Sequence, residues 1–512
     1  MKISFVLLLV LLASPDGAKL LGQSAGTFTP AGSMTTPRVG HTATLLYDRK
    51  VLIAGGENAS WALLSSTETY DTATQTFTPS GNMTVARSGH TATLLADGRV
   101  LIVGGDSVGS AEIYDPVTGN FTATGDLLAA PTRTGFNATL LANGKVLITG
   151  GVVGYTDSGY VIGDAELYDP ATGMFTAAGS YSGSLASLDI NIGGFGSTST
   201  LLPDGTVLFA TEPAAQVYDP VSAAFSVRGT MFVASVGGGS FAPDYIVDQT
   251  ATLLLNGKVL TAGGEQEDAG RFNTAELYDA ASGLFIPTGS MVKARDGHTA
   301  TLLPDGSALM AGGDSQTCED NGCWASGIES SAELYDPVKG TFTEVGNMIS
   351  SRTFHTATLL NNGDVLIAGG LTDVGPEPVG GFLEESIASA ELYHPASPLS
   401  APVLFSMNGN GTGQGAVWDA ATGQLASPQN PATASEILSM YVSGLAEGGA
   451  IPPQVTVGGQ MAQILFFGDA PGYPGYYQVN FRVPSGVAPG SAVPVRLNYL
   501  NRTSNEVSIR VQ

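Results

Sequence analysis

The chain is poor in charge, in sulfur and in long apolar runs, and each shortage excludes something. Charged residues make up 13% of 512, and the 20 Lys and Arg are outnumbered by 45 Asp and Glu, for a formal charge of −25. A surface of that sign repels phosphate backbones, so nucleic acid is excluded as a partner, while cationic groups, metal ions and neutral glycans stay open. Only two cysteines occur, Cys318 and Cys323, in the loop Cys-Glu-Asp-Asn-Gly-Cys. That is too few for a disulfide scaffold, and the loop offers no histidine to complete a metal site. In an oxidising compartment the pair is expected to form one local disulfide. The longest apolar run, Ile3 to Leu12, is too short to span a bilayer. It follows Met1-Lys2 and precedes small and polar residues up to Ala25, which is the three-part layout of a signal peptide over 1–25. The expectation is therefore a secreted, periplasmic or cell-surface protein, monomeric and without a transmembrane segment.

What the chain has in abundance is glycine, 68 copies, and a repeat. Short alternating segments joined by Gly-containing turns read as many strands. Four segments recur in fixed order about every fifty residues, a propeller-like period. In the second copy these are Gly89 to Leu95, the turn Ala96-Asp97-Gly98-Arg99, the apolar run Val100 to Val103 with Gly104-Gly105, and Ala111 to Pro116 leading to Phe121 to Thr124. Asp-Gly suits a two-residue type I′ hairpin turn. An uninterrupted apolar strand is expected where both faces are buried.

Thr-Ala-Thr-Leu-Leu starts at Thr42, Thr91, Thr250, Thr299 and Thr356, with diverged copies at Asn137 and Thr198. Six copies carry the paired glycines, and the fourth reads Ala210-Thr211. A Tyr-Asp pair recurs six times, from Tyr70-Asp71 to Tyr335-Asp336, and the seventh copy is Tyr393-His394. The seventh repeat has no last strand of its own, whereas Thr27 to Met34 matches that strand's pattern. The expectation is a ring of seven blades over 26–396, closed by the N-terminal strand.

Paired glycines, a later tyrosine and Arg-x-x-His before the inner strand resemble the kelch repeat. The resemblance covers about residues 27 to 396 and implies a seven-bladed β-propeller of the galactose-oxidase-like group. A linker is expected at 397–402. Over 403–512, alternating stretches separated by Gly/Pro turns read as an immunoglobulin-like β-sandwich. Pro453 to Gly459 and Gln478 to Pro484 resemble a C-terminal module common in exported bacterial proteins. The expected fold class is thus all-β, a seven-bladed kelch-type propeller followed by a sandwich.

Length variation is confined to one face, in the loops Val152 to Gly163, Asp314 to Ser330 and Leu371 to Ala388 and the connections 179–195 and 229–247. Variable loops on a rigid scaffold are where binding concentrates. Trp61, Tyr155, Tyr160, Trp324 and Phe382 are the candidate stacking residues there. The residue after the second strand is acidic in five blades: Glu57, Asp106, Glu212, Glu265 and Asp314. Arg38, Arg87, Arg133, Arg295 and Arg352, at the starts of inner strands, are their expected ion-pair partners. Glu212 and Glu265 lack such an arginine, and with Asp189, Asp244 and Asp248 they are the candidate calcium ligands. His41, His90, His298 and His355 share one repeat position and read as strand-end residues satisfied by hydrogen bonds.

The galactose-oxidase-like resemblance implies copper held by two histidines and two tyrosines, one tyrosine bonded to a cysteine. Three features oppose it. No histidine follows His394, Tyr393-His394 falls on an outer strand, and both cysteines share one loop. No His-Glu-x-x-His motif and no sialidase-type aspartate box occurs. The functional expectation is an exported, non-catalytic binding or adhesion protein for a glycan or protein ligand. The alternative is an oxidoreductase or carbohydrate-active enzyme of the same fold.

Overall fold

The computed structural model describes residues 26–512 apart from 130–132, 154–159, 162, 181–197, 212–213, 232–247, 267–269, 320–321, 377–381, 397–400 and 447–448. The segment 1–25 therefore lies outside the described residues. Among those described there is no helix, and none long and apolar enough to cross a membrane.

Residues 27–394 form seven antiparallel sheets built on a four-strand path, and these are the blades. Blade 1 runs Thr42–Leu45, Lys50–Ala54, Thr67–Asp71 and Thr76–Pro79 from inside to outside. The innermost strands of successive blades touch one another in a closed cycle, blade 7 meeting blade 1. Blade 7 takes its outermost strand from the other end of the chain. Thr27–Ser33 pairs with Ser389–His394 in the register Thr27↔His394 and Phe28↔Tyr393. In every blade a third-strand tyrosine packs on a fourth-strand phenylalanine at 4.8–5.0 Å between centroids. The closing pair Phe28–Tyr393 has the same geometry as the other six. Velcro closure completes the seventh blade, so the ring keeps only the short outer edges of its separate sheets.

Four consecutive residues of each second strand are buried, as at Val100–Val103. Each of these side chains contributes about 1.5–3 kcal/mol by leaving water. The hairpin turn differs from the type I′ expectation. Leu95 pairs with Arg99, the Gly98 N–H donates to the Leu95 carbonyl, and Gly98 has φ +90°. Asp97 does not have positive φ; its carboxylate accepts the Arg99 N–H instead. The loop is thus three residues long with the left-handed residue last, a common hairpin solution. In blade 1 that place is taken by Arg49 at φ +71°.

Buried arginines hold the blades. Arg38, Arg87, Arg133, Arg295 and Arg352 are all fully buried. Their partners are the third-strand glutamates Glu68, Glu112, Glu166, Glu333 and Glu391, at 2.7–3.0 Å. This differs from the expected pairing with the acid after the second strand. Only Asp106 approaches its arginine, Arg87, at 3.6 Å. The third-strand position points inward, toward the guanidinium, and was hidden in sequence by the constant Glu-x-Tyr pattern. Each glutamate also accepts backbone N–H groups from the incoming connection, such as Thr84 and Val85 on Glu112.

At four junctions the arginine's own carbonyl accepts the N–H of the second glycine of the preceding blade: Arg38 from Gly370, Arg87 from Gly56, Arg295 from Gly264 and Arg352 from Gly313. The first glycine is needed for room. A Cβ on Gly55 would lie 2.6 Å from the Arg87 carbonyl. Blade 4 reads Ala210-Thr211 at these positions, and the positions corresponding to arginine and histidine in the blade after it read Ile246 and Gln249.

The remainder folds on a separate core that joins two sheets. Ile437–Ser443 and Tyr477–Arg482 contribute Leu438, Met440, Val479 and Phe481; Gln454–Val457, Gly490–Tyr499 and Val507–Val511 contribute Val455, Val495, Leu497 and Ile509. Gln460–Asp469 crosses between the sheets, pairing with Gln454–Val457 at one end and Tyr477–Arg482 at the other. This is a β-sandwich. It sits on the propeller face that carries the hairpin turns. The Ala450 N–H donates to the Leu255 carbonyl, the Thr503 N–H to Asn361, and Arg496 lies over the Tyr47 ring at 5.1 Å.

Arg49→Gly is expected to stabilise the protein by about 0.5–1 kcal/mol, because it relieves a left-handed backbone at an exposed turn. Urea denaturation checks this, and a lower midpoint would refute it.

Candidate functional site

With one propeller face covered by the sandwich, two places remain where a ligand could meet the ring. The first is the axial cavity, of about 1450 Å³, which runs past all seven inner strands to Gln463, Phe466 and Asn501 of the sandwich. Its wall is mostly Ala, Thr and Leu, from Ala43 and Thr93 to Thr301 and Leu359. Its titratable side chains, Tyr47, Asp204, Asp219 and Arg496, come from the turn end. The cavity offers packing and hydroxyl groups but no cluster of reactive ones.

The second place is the loop face above blades 5, 6 and 7, and there the electrostatics are unusual. Three short strand pairs each set two charged residues directly opposite one another: Glu265 against Arg271 and Asp373 against Glu384 within hairpins, and Asp296 against Asp314 where the entry to blade 6 pairs with the strand after its second strand. Like charges facing each other across a strand pair oppose folding, so two such pairs in adjacent blades call for a compensating group. Arg271 is that group among the described residues. Its guanidinium meets Asp296, reaches Asp314 at 3.4 Å and Glu265 at 3.5 Å.

Three carboxylates meet one guanidinium, and Asp373 and Glu384 lie close enough to act on Asp314. Burial, with the neighbouring Asp296, Glu384 and Asp373, pushes the Asp314 carboxyl up to about 7 against the pull of Arg271. Burial and Asp373 raise Glu384 as well, at the solvent-exposed rim. Asp373 also accepts the Ile328 N–H at 2.9 Å, which ties the blade 7 hairpin to blade 6. The arrangement can exchange a proton near neutrality and can receive hydrogen-bond donors or a positive charge.

Sequence reasoning had nominated Glu265 from this group and no other member. Asp314 was visible in the repeat but assigned to an arginine pair. Asp296 occupies a variable position within Arg-x-x-His, and Arg271, Asp373 and Glu384 belong to loops without a repeat counterpart. The usable signal was the charge pattern of those loops.

The other nominated residues are dispersed. Asp189, Glu212, Asp244 and Tyr155 lie outside the described residues. Asp248 sits in a bend with φ +55°. Trp61 is exposed at the tip of a turn in blade 1 whose N–H groups are collected by Asn58. Tyr160, Trp324 and Phe382 stand on hairpins of blades 3, 6 and 7, opposite Val153, Thr317 and Pro376. The backbone sets Cys318 directly opposite Cys323.

The histidines are structural. Nε2 of His41, His90, His298 and His355 meets the inner-strand threonine of the preceding blade, Thr356, Thr42, Thr250 and Thr299, at 2.9–3.2 Å. Burial and the adjacent arginines push His41 down to about 3, and burial with Arg87 does the same to His90. The fifth, His394, bonds Asp364 through Nδ1 and Thr29 through Nε2.

No protein-family model matches the chain, and no curated protein matches it in sequence. Among solved structures, the chain is similar to a fungal alcohol oxidase of the AA5 family in complex with copper, at 16% identity and a TM-score of 0.58, covering 96% of this chain and 99% of that one. It is also similar to YjhT, at 14% identity and a TM-score of 0.43, covering 70% and 95%. The first likeness shows the propeller fold. Every histidine is engaged as above, and among the described residues no three His, Cys, Asp or Glu side chains are grouped to hold a metal.

The carboxyl carbon of Asp314, followed by NMR, is expected to titrate near pH 7. Asp296→Asn should lower that midpoint by removing a neighbouring negative charge, and Arg271→Gln should raise it. A midpoint near 4 that neither variant moves would contradict the cluster.

Proposed function

We propose that the chain is an exported binding protein whose loop face recognises a glycan or protein ligand through the carboxylate cluster around Arg271. The observation that carries this reading is the pairing of Asp296 with Asp314 and of Asp373 with Glu384 across strand pairs of adjacent blades. The ring spends stability to place these charges on its open face, a pattern typical of functional sites. A ligand supplying sugar hydroxyls, or a lysine or arginine side chain, would relieve that repulsion.

The same reading takes 1–25 as a cleaved signal, Cys318–Cys323 as a disulfide, the repeats as kelch-type and the sandwich as immunoglobulin-like. A second reading, a carbohydrate-active enzyme, is favoured by one observation, the carboxyl of Asp314 pushed up to about 7 directly opposite Asp296. Such a pair suits general acid–base work.

Metal analysis and array binding of the mature protein separate the readings. We expect no stoichiometric copper, and binding to an immobilised glycan or peptide that falls at least tenfold in Asp314→Ala/Asp373→Ala. Stoichiometric copper, or cleavage of an arrayed glycan lost in Asp314→Asn, would overturn the non-catalytic assignment.

A further inference from the structure

The sandwich has an outer face that, apart from Phe466 at the edge of the axial cavity, none of the foregoing uses. Its residues follow from register, because side chains directly opposite on antiparallel strands point the same way. One row reads Trp418, Ser439, Asn480, Phe466 across four strands, and the next reads Tyr441, Gln478, Gly468. The intervening positions, Leu438, Met440, Val479 and Phe481, are buried in the core, so both rows face outward.

The rings form a strip. Trp418 lies edge-on to Tyr441 at 5.8 Å, and Tyr441 lies 6.0 Å from Tyr473, itself half exposed. Phe466, 45% exposed, ends the first row three strand spacings from Trp418, roughly 14 Å away. Between the rings stand two amides, with Gln478 donating to Asn480 at 2.9 Å. Gly468 keeps the second row low, since a Cβ there would meet the Phe466 ring at 3.2 Å. These two rows carry no charged side chain; the next row on the same face holds Arg482, occupied by Gln463 and the Ser435 carbonyl, while Asp419 and Asp469 stand at the strand ends, one residue out of the rows.

We propose that this face is a second binding site, for a neutral polysaccharide chain. Sugar rings present C–H faces that stack on aromatic rings, and hydroxyls that both donate to and accept from amides. An uncharged strip on a chain of formal charge −25 matches a neutral polymer and disfavours an anionic one. A protein partner fits less well. It would have to bury Asn480 and Gln478 with matched groups for each, at a cost for every one left unmade.

Native affinity electrophoresis of the full chain tests this, in gels containing hydroxyethylcellulose, galactomannan or pullulan, with alginate as the anionic control. Retardation by at least one neutral polymer and none by alginate is expected. Trp418→Ala and Tyr441→Ala should each weaken it at least tenfold. Asn480→Ala, which removes hydrogen bonding and leaves the rings, should weaken it about threefold or more at an unchanged melting temperature. Lys339→Ala, on an exposed turn of the propeller outside both sites, should leave it intact. No retardation in any neutral gel, retardation by alginate alone, or binding unaltered in Trp418→Ala/Tyr441→Ala would overturn the proposal.

Discussion

The ring depends on a guanidinium taken wholly out of water. In five blades an arginine at the entry to the inner strand is buried against a third-strand glutamate, and that glutamate also collects N–H groups from the chain arriving from the previous blade. Desolvating such a pair is expensive, and removing one partner leaves an uncompensated charge. The arrangement therefore specifies position more than it adds net stability. One side chain fixes the start of the inner strand, the end of the second strand and the third strand at once. The paired glycines belong to the same device, because a side chain on the first would meet the next blade's arginine segment and one on the second would meet the segment entering its own blade.

That constraint explains where the fold departs from its own repeat. The four junctions that join a glycine N–H to an arginine carbonyl are consecutive, from blade 5 through 6, 7 and 1 to blade 2. Blade 4 has lost the glycines and carries Gln216 at the glutamate position, and blade 5 has Ile246 where the arginine would stand. The Arg271 cluster is mounted on blades 5, 6 and 7, which lie within the clamped arc. A group of like charges needs a scaffold that resists its repulsion, and this arc provides one.

Much of the scaffold was legible because the repeat multiplies each signal sevenfold. The apolar second strand, the Tyr–Phe packing partners and the closing strand Thr27–Ser33 all follow from patterns that recur. Pairings between unlike repeat positions were harder to read. Arg87 had two acids within plausible reach, Asp106 and Glu112, and only three-dimensional placement shows that the nearer partner is the third-strand glutamate. The turn at Asp97-Gly98 was misjudged by one residue, since Asp-Gly suits both a two-residue and a three-residue loop. The candidate site was the least legible part. Its six charges come from strand pairs on three blades, spread from Glu265 to Glu384, and none recurs in the repeat as a group. The covering of the turn face by the sandwich left no sequence signal beyond ordinary apolar residues such as Leu255 and Leu500.

The central claim is that buried arginine and third-strand glutamate act as one unit. A double-mutant cycle at Arg87 and Glu112, with Arg87→Met, Glu112→Gln and the pair together, measures it by reversible denaturation. The account predicts that each single change costs about 3–5 kcal/mol and that the double change costs no more than the worse single one. Additive losses in the double variant would contradict it.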